Sequence, residues 1–207
     1  FADEKSVGEN YVIPILMTGV QGADSILQGK PVVENPALTN SENWSVQPQN
    51  FVLYAVKYVN PWHGQYLRRG IDNATIDGTS KVIVRHEQFV EKDEAVDIST
   101  ESMKDNLLTL KTKDAAGNDI SYTIRMSFTE DGVCTLSSGS QNAVVSGNGK
   151  FVSKGEKNSL GGKDRNAIYL DYTVNLTENN IQLATKDTLV LRTRNVQGGK
   201  AFEVIRK

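Results

Sequence analysis

The chain has 207 residues, 23 Lys and Arg against 25 Asp and Glu, and a formal net charge of −2. Such a balance supplies no basic field for nucleic acid or an anionic membrane surface, and no apolar run approaches the roughly 20 residues of a membrane helix. A single cysteine, Cys134, excludes an intrachain disulfide and a cysteine-based zinc site; in the alternating run Val133-Cys134-Thr135-Leu136 it reads as a small buried hydrophobe.

Taken in chain order, the first strand-like run is Tyr11-Val-Ile-Pro-Ile-Leu-Met-Thr18. Pro14 cannot donate to a ladder and suits an edge or terminal strand, so this isolated run reads as the last strand of a preceding domain. Residues 30–50, rich in proline and asparagine, read as a linker that Trp44 pins against the next element. Phe51-Val-Leu-Tyr-Ala-Val-Lys-Tyr-Val59 is apolar on both faces and is expected to be the most buried strand. Residues 64–78 read as extended with a bend at Gly70, and 81–85 as a further strand. Residues 87–105 carry seven acids against two lysines, the composition of a solvated loop, with a helical turn expected near 99–105.

From about residue 106 onward the period is two. Tyr122, Ile124, Met126 and Phe128 alternate with Thr123 and Arg125, and Leu170, Tyr172 and Val174 with Asp171 and Thr173. The first set of each pair is expected inside and the second outside, because successive strand side chains point to opposite faces. Asp131-Gly132, Asn148-Gly149 and Gly198-Gly199 carry the composition of tight hairpin turns. About eight to ten strands joined this way give an all-β fold, an antiparallel up-and-down meander forming a lipocalin-like barrel. Closure removes the edges an open meander would leave.

No G-x-x-x-x-G-K-[ST] loop and no G-x-S-x-G elbow occurs, and His63 and His86 lack partners at metal-ligand spacing. No catalytic residue, metal or cofactor is therefore expected, and the domain reads as a non-enzyme. The densest cluster of unusual residues is Asn60-Pro-Trp-His-Gly-Gln-Tyr-Leu-Arg-Arg-Gly70. Sugar sites combine a flat aromatic face with planar donors of fixed geometry, so Trp62, His63, Tyr66, Arg68 and Arg69 are the candidate ligand contacts, with Trp62 as the stacking platform. The bland alternative has Trp62 and Tyr66 plugging one end of the barrel. Two function classes stay open: a carbohydrate-binding module, or a structural or adhesion spacer with no small ligand. A lipocalin-style apolar cavity is a third. Exposed rings beside a groove would favour the first; buried rings would favour the second.

Tyr11-Val-Ile-Pro-Ile with Ala23-Asp-Ser-Ile-Leu27, then Asn50-Phe-Val-Leu-Tyr-Ala-Val-Lys-Tyr-Val-Asn-Pro-Trp-His-Gly64, Tyr66-Leu-Arg-Arg-Gly70 and Asn166-Ala-Ile-Tyr-Leu-Asp-Tyr172, resemble a Bacteroidetes surface-lipoprotein family of unknown function. Its members look like an N-terminal immunoglobulin-like domain followed by a lipocalin-like barrel domain, and the resemblance covers nearly all of the chain. It implies that residues 1–30 are the last strand of the first domain plus a linker, and 31–207 the barrel. It further implies export, a lipid anchor upstream of Phe1 as the membrane contact, and a place at the cell surface or in the periplasm. The implied partners are a glycan or polysaccharide and other outer-membrane glycan-uptake proteins; fold sharing alone does not fix that role.

Overall fold

The computed structural model describes residues 3–194. The chain divides into two compact units, with the boundary between Tyr58 and Val59. In the first unit a single helical turn, α1 (Lys5–Gly8), precedes strand β1 (Tyr11–Leu16). β1 pairs antiparallel with β4 (Phe51–Val56) along its whole length, from Tyr11↔Val56 to Leu16↔Phe51. Between them β2 (Lys30–Pro31) and β3 (Trp44–Val46) form a second short ribbon.

Two expectations fail here for one reason. The run 51–59 is no barrel strand, and 11–18 is not without a partner: the two are each other's partner. A stretch apolar on both faces resembles a strand covered on both sides, yet Val12, Ile15, Leu16, Val52 and Tyr54 are exposed. The Trp44 indole N–H donates to Ala37 O at 3.0 Å, so this ring closes the linker on itself.

The second unit is the barrel. Its strands are β5 (Gly64–Ile76), β6 (Thr79–Arg85), β7 (Glu94–Thr100), β8 (Asp105–Lys113), β9 (Asp119–Phe128), β10 (Val133–Ser138), β11 (Val144–Glu156), β12 (Arg165–Leu176) and β13 (Ile181–Thr193). All ladders are antiparallel, and β13 returns to pair with β5 from Ile181↔Ile76 to Thr193↔Gln65. The protein is therefore all-β with a closed eight-strand antiparallel barrel of the lipocalin-like kind. β6 is an additional strand, held by β5 over Gly70–Ile76, while β7 takes the same edge of β5 over Gly64–Arg68.

The alternation places side chains as read. Tyr122, Ile124, Met126, Phe128, Leu170, Tyr172 and Val174 are buried in one core with Leu108, Leu110, Leu136 and Leu183. Arg125 faces out and forms a two-pronged pair with Glu101 at 2.6 and 2.7 Å. Gly132, at φ 76°, makes the turn between β9 and β10. Asn148-Gly149, in contrast, lies in the middle of β11. A Cβ on Gly147 would come within 2.5 Å of Tyr172 Cβ, and one on Gly149 within 2.5 Å of Leu170 Cδ2. These glycines let β12 press close; they do not turn the chain. The acidic stretch is also more ordered than its composition suggests. Its middle is β7, with Val96 and Ile98 buried, and the expected helical turn near 99–105 is a tight reversal in which Ser102 Oγ donates to Asp105 Oδ2 at 2.8 Å. The Gly198-Gly199 turn lies outside the described residues.

Candidate functional site

The cluster 60–70 begins with a reverse turn built on Asn60. Its buried amide exchanges hydrogen bonds with Asn106, Nδ2 donating at 2.8 Å and Oδ1 accepting at 2.9 Å. Asn60 Oδ1 also accepts from the His63 backbone N–H at 3.2 Å. His63 Nδ1 in turn accepts from Thr100 N at 3.3 Å. This turn throws Trp62 across the barrel end, where it stacks on Phe128 with ring centroids 4.3 Å apart and planes 7° from parallel. Trp62 is 8% exposed and Tyr66 only 1%. The Tyr66 hydroxyl donates to Trp62 O at 2.9 Å, which fixes the plug from below. One edge of Trp62 borders a groove of about 510 Å³ with Pro61, Gly132 and Phe151, but the ring itself belongs to the core.

The inward phase that carries Tyr66 then places Arg68 in the barrel interior, 2% exposed. A lone buried guanidinium would cost several kcal/mol in lost hydration; here every nitrogen has an acceptor. Nε donates to Asp187 Oδ2 at 2.8 Å, Nη1 to Glu94 Oε2 at 3.0 Å and Nη2 to Tyr172 Oη at 3.3 Å. Tyr172 donates its own proton to Asp187 Oδ2 at 2.8 Å. The other oxygen of Asp187 accepts from Arg85 Nη2 at 2.6 Å. Arg85 Nη1 donates to Asp72, whose second oxygen accepts from Thr185 at 2.7 Å. Gly70 makes this possible: a Cβ there would sit 2.2 Å from Asp187 Oδ1 and from Lys186 O. Burial pushes the Tyr172 hydroxyl well above its usual range and the Tyr122 hydroxyl up to about 12.

Above this network the barrel wall parts. β8 runs on to Lys113, yet its ladder to β7 holds only Ile98↔Leu108, Ser99↔Leu107 and Thr100↔Asn106. Beyond that point the β7–β8 ladder is not continued. The result is a slot of about 400 Å³, lined by Arg68, Arg85, Asp93, Glu94 and Lys111 with His86, Glu87 and Lys92 exposed around it. Arg69 supports one wall, donating from Nε to Asp93 Oδ2 at 2.6 Å. In the barrel, the buried side-chain atoms with no hydrogen-bond partner among the described residues are Arg85 Nε and Arg69 Nη2.

Residues 61–195 match the family described as Domain of unknown function (DUF5627). The chain belongs to this family. The DUF5627 stretch begins in the Asn60–His63 turn and runs past β13, so it coincides with the barrel unit. A crystal structure at 2.40 Å from Bacteroides ovatus, a structural-genomics protein of unknown function, is 83% identical, with a TM-score of 0.84. It covers 100% of this chain, which spans 66% of that one. No curated protein matches.

The five residues singled out in the sequence do not converge on one surface. Within the DUF5627 barrel Trp62 and Tyr66 form the end plug, His63 holds a turn, Arg68 centres the buried network and Arg69 buttresses the slot. Sequence reading missed Asp72, Arg85, Glu94, Lys111 and Asp187. A signal for some of them existed. Thr185 and Asp187 fall on the same phase as Ile181, Leu183 and Leu189, and Asp72 on that of Tyr66 and Ala74. A polar residue on the apolar phase of a barrel strand must find a partner inside.

Proposed function

We propose that the DUF5627 barrel is a non-catalytic binding domain that takes a saccharide unit of a glycan into the slot over Arg68 and Arg85. The observation that carries this reading is an open, polar slot whose lining brings Arg68, Arg85, Glu94 and Lys111 together in the barrel wall. The volume of about 400 Å³ lies within the range of small-molecule sites, about 300–1,000 Å³. Guanidinium, ammonium and carboxylate groups converge on it in the fixed geometry that hydroxyl recognition uses. A binding role is favoured over a chemical one because Asp93, Glu94 and Asp187 are each committed to an arginine. The 83% identity to a Bacteroides ovatus protein fits the Bacteroidetes family of the resemblance, which implies a surface or periplasmic setting with other glycan-uptake proteins as neighbours.

The test is a screen of the intact chain against a broad polysaccharide panel, followed by calorimetry on the best binder. Lys111→Glu should weaken binding at least tenfold while leaving the circular dichroism spectrum unchanged. Unaltered affinity would move the ligand elsewhere. A second reading, a structural or adhesion spacer without a small ligand, is favoured by the burial of Trp62 and Tyr66, and a silent panel would select it.

A further inference from the structure

Strand β6 is an open edge of the barrel sheet, and we infer that it pairs with the same strand of a second copy of this chain. Among the described residues β5 holds one side of β6 and no strand holds the other. Neither a proline nor a bulge blunts this edge: the register with β5 runs without a shift from Gly70↔Arg85 to Ile76↔Thr79. Its outward face is apolar. Val82 and Val84 are 64% and 62% exposed, beside Ile71 of β5 at 47%. An extended edge of this kind is a template for strand addition.

The backbone selects the register. Asp77 and Gly78, at φ 47° and 77°, turn the chain from β5 into β6, and a two-residue turn of this kind closes on a hydrogen-bonded pair, here Ile76↔Thr79. Hydrogen-bonded and non-hydrogen-bonded pairs alternate along an antiparallel ladder. Thr79, Lys81, Ile83 and Arg85 therefore spend their N–H and C=O groups on β5, while Ser80, Val82 and Val84 turn theirs to the open side. A two-fold axis through Val82 sets it against the partner's Val82, and sets Ser80 against the partner's Val84. Every open N–H of both strands then meets a C=O. The same register keeps like charges apart. Lys81 faces the partner's Ile83; Arg85, already held by Asp72 and Asp187, faces the partner's Thr79. The exposed valines of both copies merge with Ile71 into one apolar face, the self-complementary patch of an isologous dimer. Val84 and Arg85 also line the slot, so the pairing sets one slot on either side of the axis.

An edge ladder is smaller than a standard interface, so the dimer is a weak one. Sedimentation velocity of the full chain from micromolar to near-millimolar concentration tests it. The wild type should pass from monomer to dimer across that range. Val82→Lys and Val82→Glu each place a charge opposite its own copy on the axis, and each should weaken dimerisation at least tenfold. Because Val82 is exposed, the circular dichroism spectrum should not change. An equimolar mixture of the two variants should regain dimer at least to the wild-type level, as expected of a residue that meets itself. A wild type monomeric throughout would overturn the inference and leave the edge to a strand of another protein. A dimer insensitive to both variants would overturn it by placing the interface elsewhere. A mixture that stays monomeric would do so too, by showing that Val82 does not lie on the axis.

Discussion

At the scale of single residues, the interior of this barrel is decided by a few polar groups on an otherwise apolar phase. Arg68 is surrounded by acceptors and cannot lose them or be lost cheaply. Arg68→Met leaves Glu94 without a guanidinium and Asp187 with that of Arg85 alone, and should lower stability by about 3–5 kcal/mol in urea denaturation, the cost of breaking a buried pair. Arg125→Met removes an equally short pair to Glu101, but a solvent-exposed one, and should lower stability far less than Arg68→Met. Equal effects would show that burial of the network has been misjudged. The same contrast holds for apolar positions: Ile124→Ala, at a site with 0% exposure, should cost about 2–5 kcal/mol, and Thr123→Ala less than about 1 kcal/mol. The alternation made Ile124 and Thr123 legible in advance. What it did not reveal was that Arg68 and Asp187, 119 positions apart, meet; only closure of β13 on β5 brings them together.

At the scale of elements, the instructive cases are those where one sequence signal has two physical causes. Asn-Gly is a strong hairpin signal because both residues accept positive φ. Glycine is equally demanded where another backbone comes close, and Gly147 and Gly149 answer to Tyr172 and Leu170. A strand apolar on both sides signals burial in a sheet, yet β4 is one half of a two-stranded ribbon with β1. The local sequence does not disclose the tie of the Asn60–His63 turn to Asn106, which bolts the start of the barrel to the β7–β8 reversal. Trp62→Ala should therefore act as a core truncation, lowering stability by about 3–5 kcal/mol through loss of the Phe128 stack. A Trp62→Ala protein with an unchanged unfolding midpoint would contradict its place in the plug.

At the scale of the whole molecule, the barrel closes around an interior that is apolar at both ends and charged in its middle, with one parted seam. Three tyrosines within it, Tyr66, Tyr122 and Tyr172, have hydroxyls pushed up by burial, Tyr122 to about 12. Below pH 10 the folded and unfolded chains both hold these protons, and stability owes nothing to them. Above pH 10 the unfolded chain releases them first. Stability should then fall as pH rises, by up to about 1.4 kcal/mol per pH unit for each tyrosine that stays protonated. Denaturant midpoints measured between pH 8 and 11.5 check the sign; a flat profile would mean that these hydroxyls titrate like free ones. The β-meander and its closure were readable from period and turn chemistry, whereas the seam was not, because nothing in the local sequence of β7 or β8 announces where their ladder ends. That seam is the centre of the functional account. Backbone amide NMR shifts followed during a titration with the best binder from the polysaccharide panel test it most directly. Perturbations should concentrate at Val84–Glu87, Lys92–Glu94 and Lys111, with Trp62, Gly132 and Phe151 unmoved. Shifts confined to the Trp62 groove, with the slot residues silent, would contradict the account.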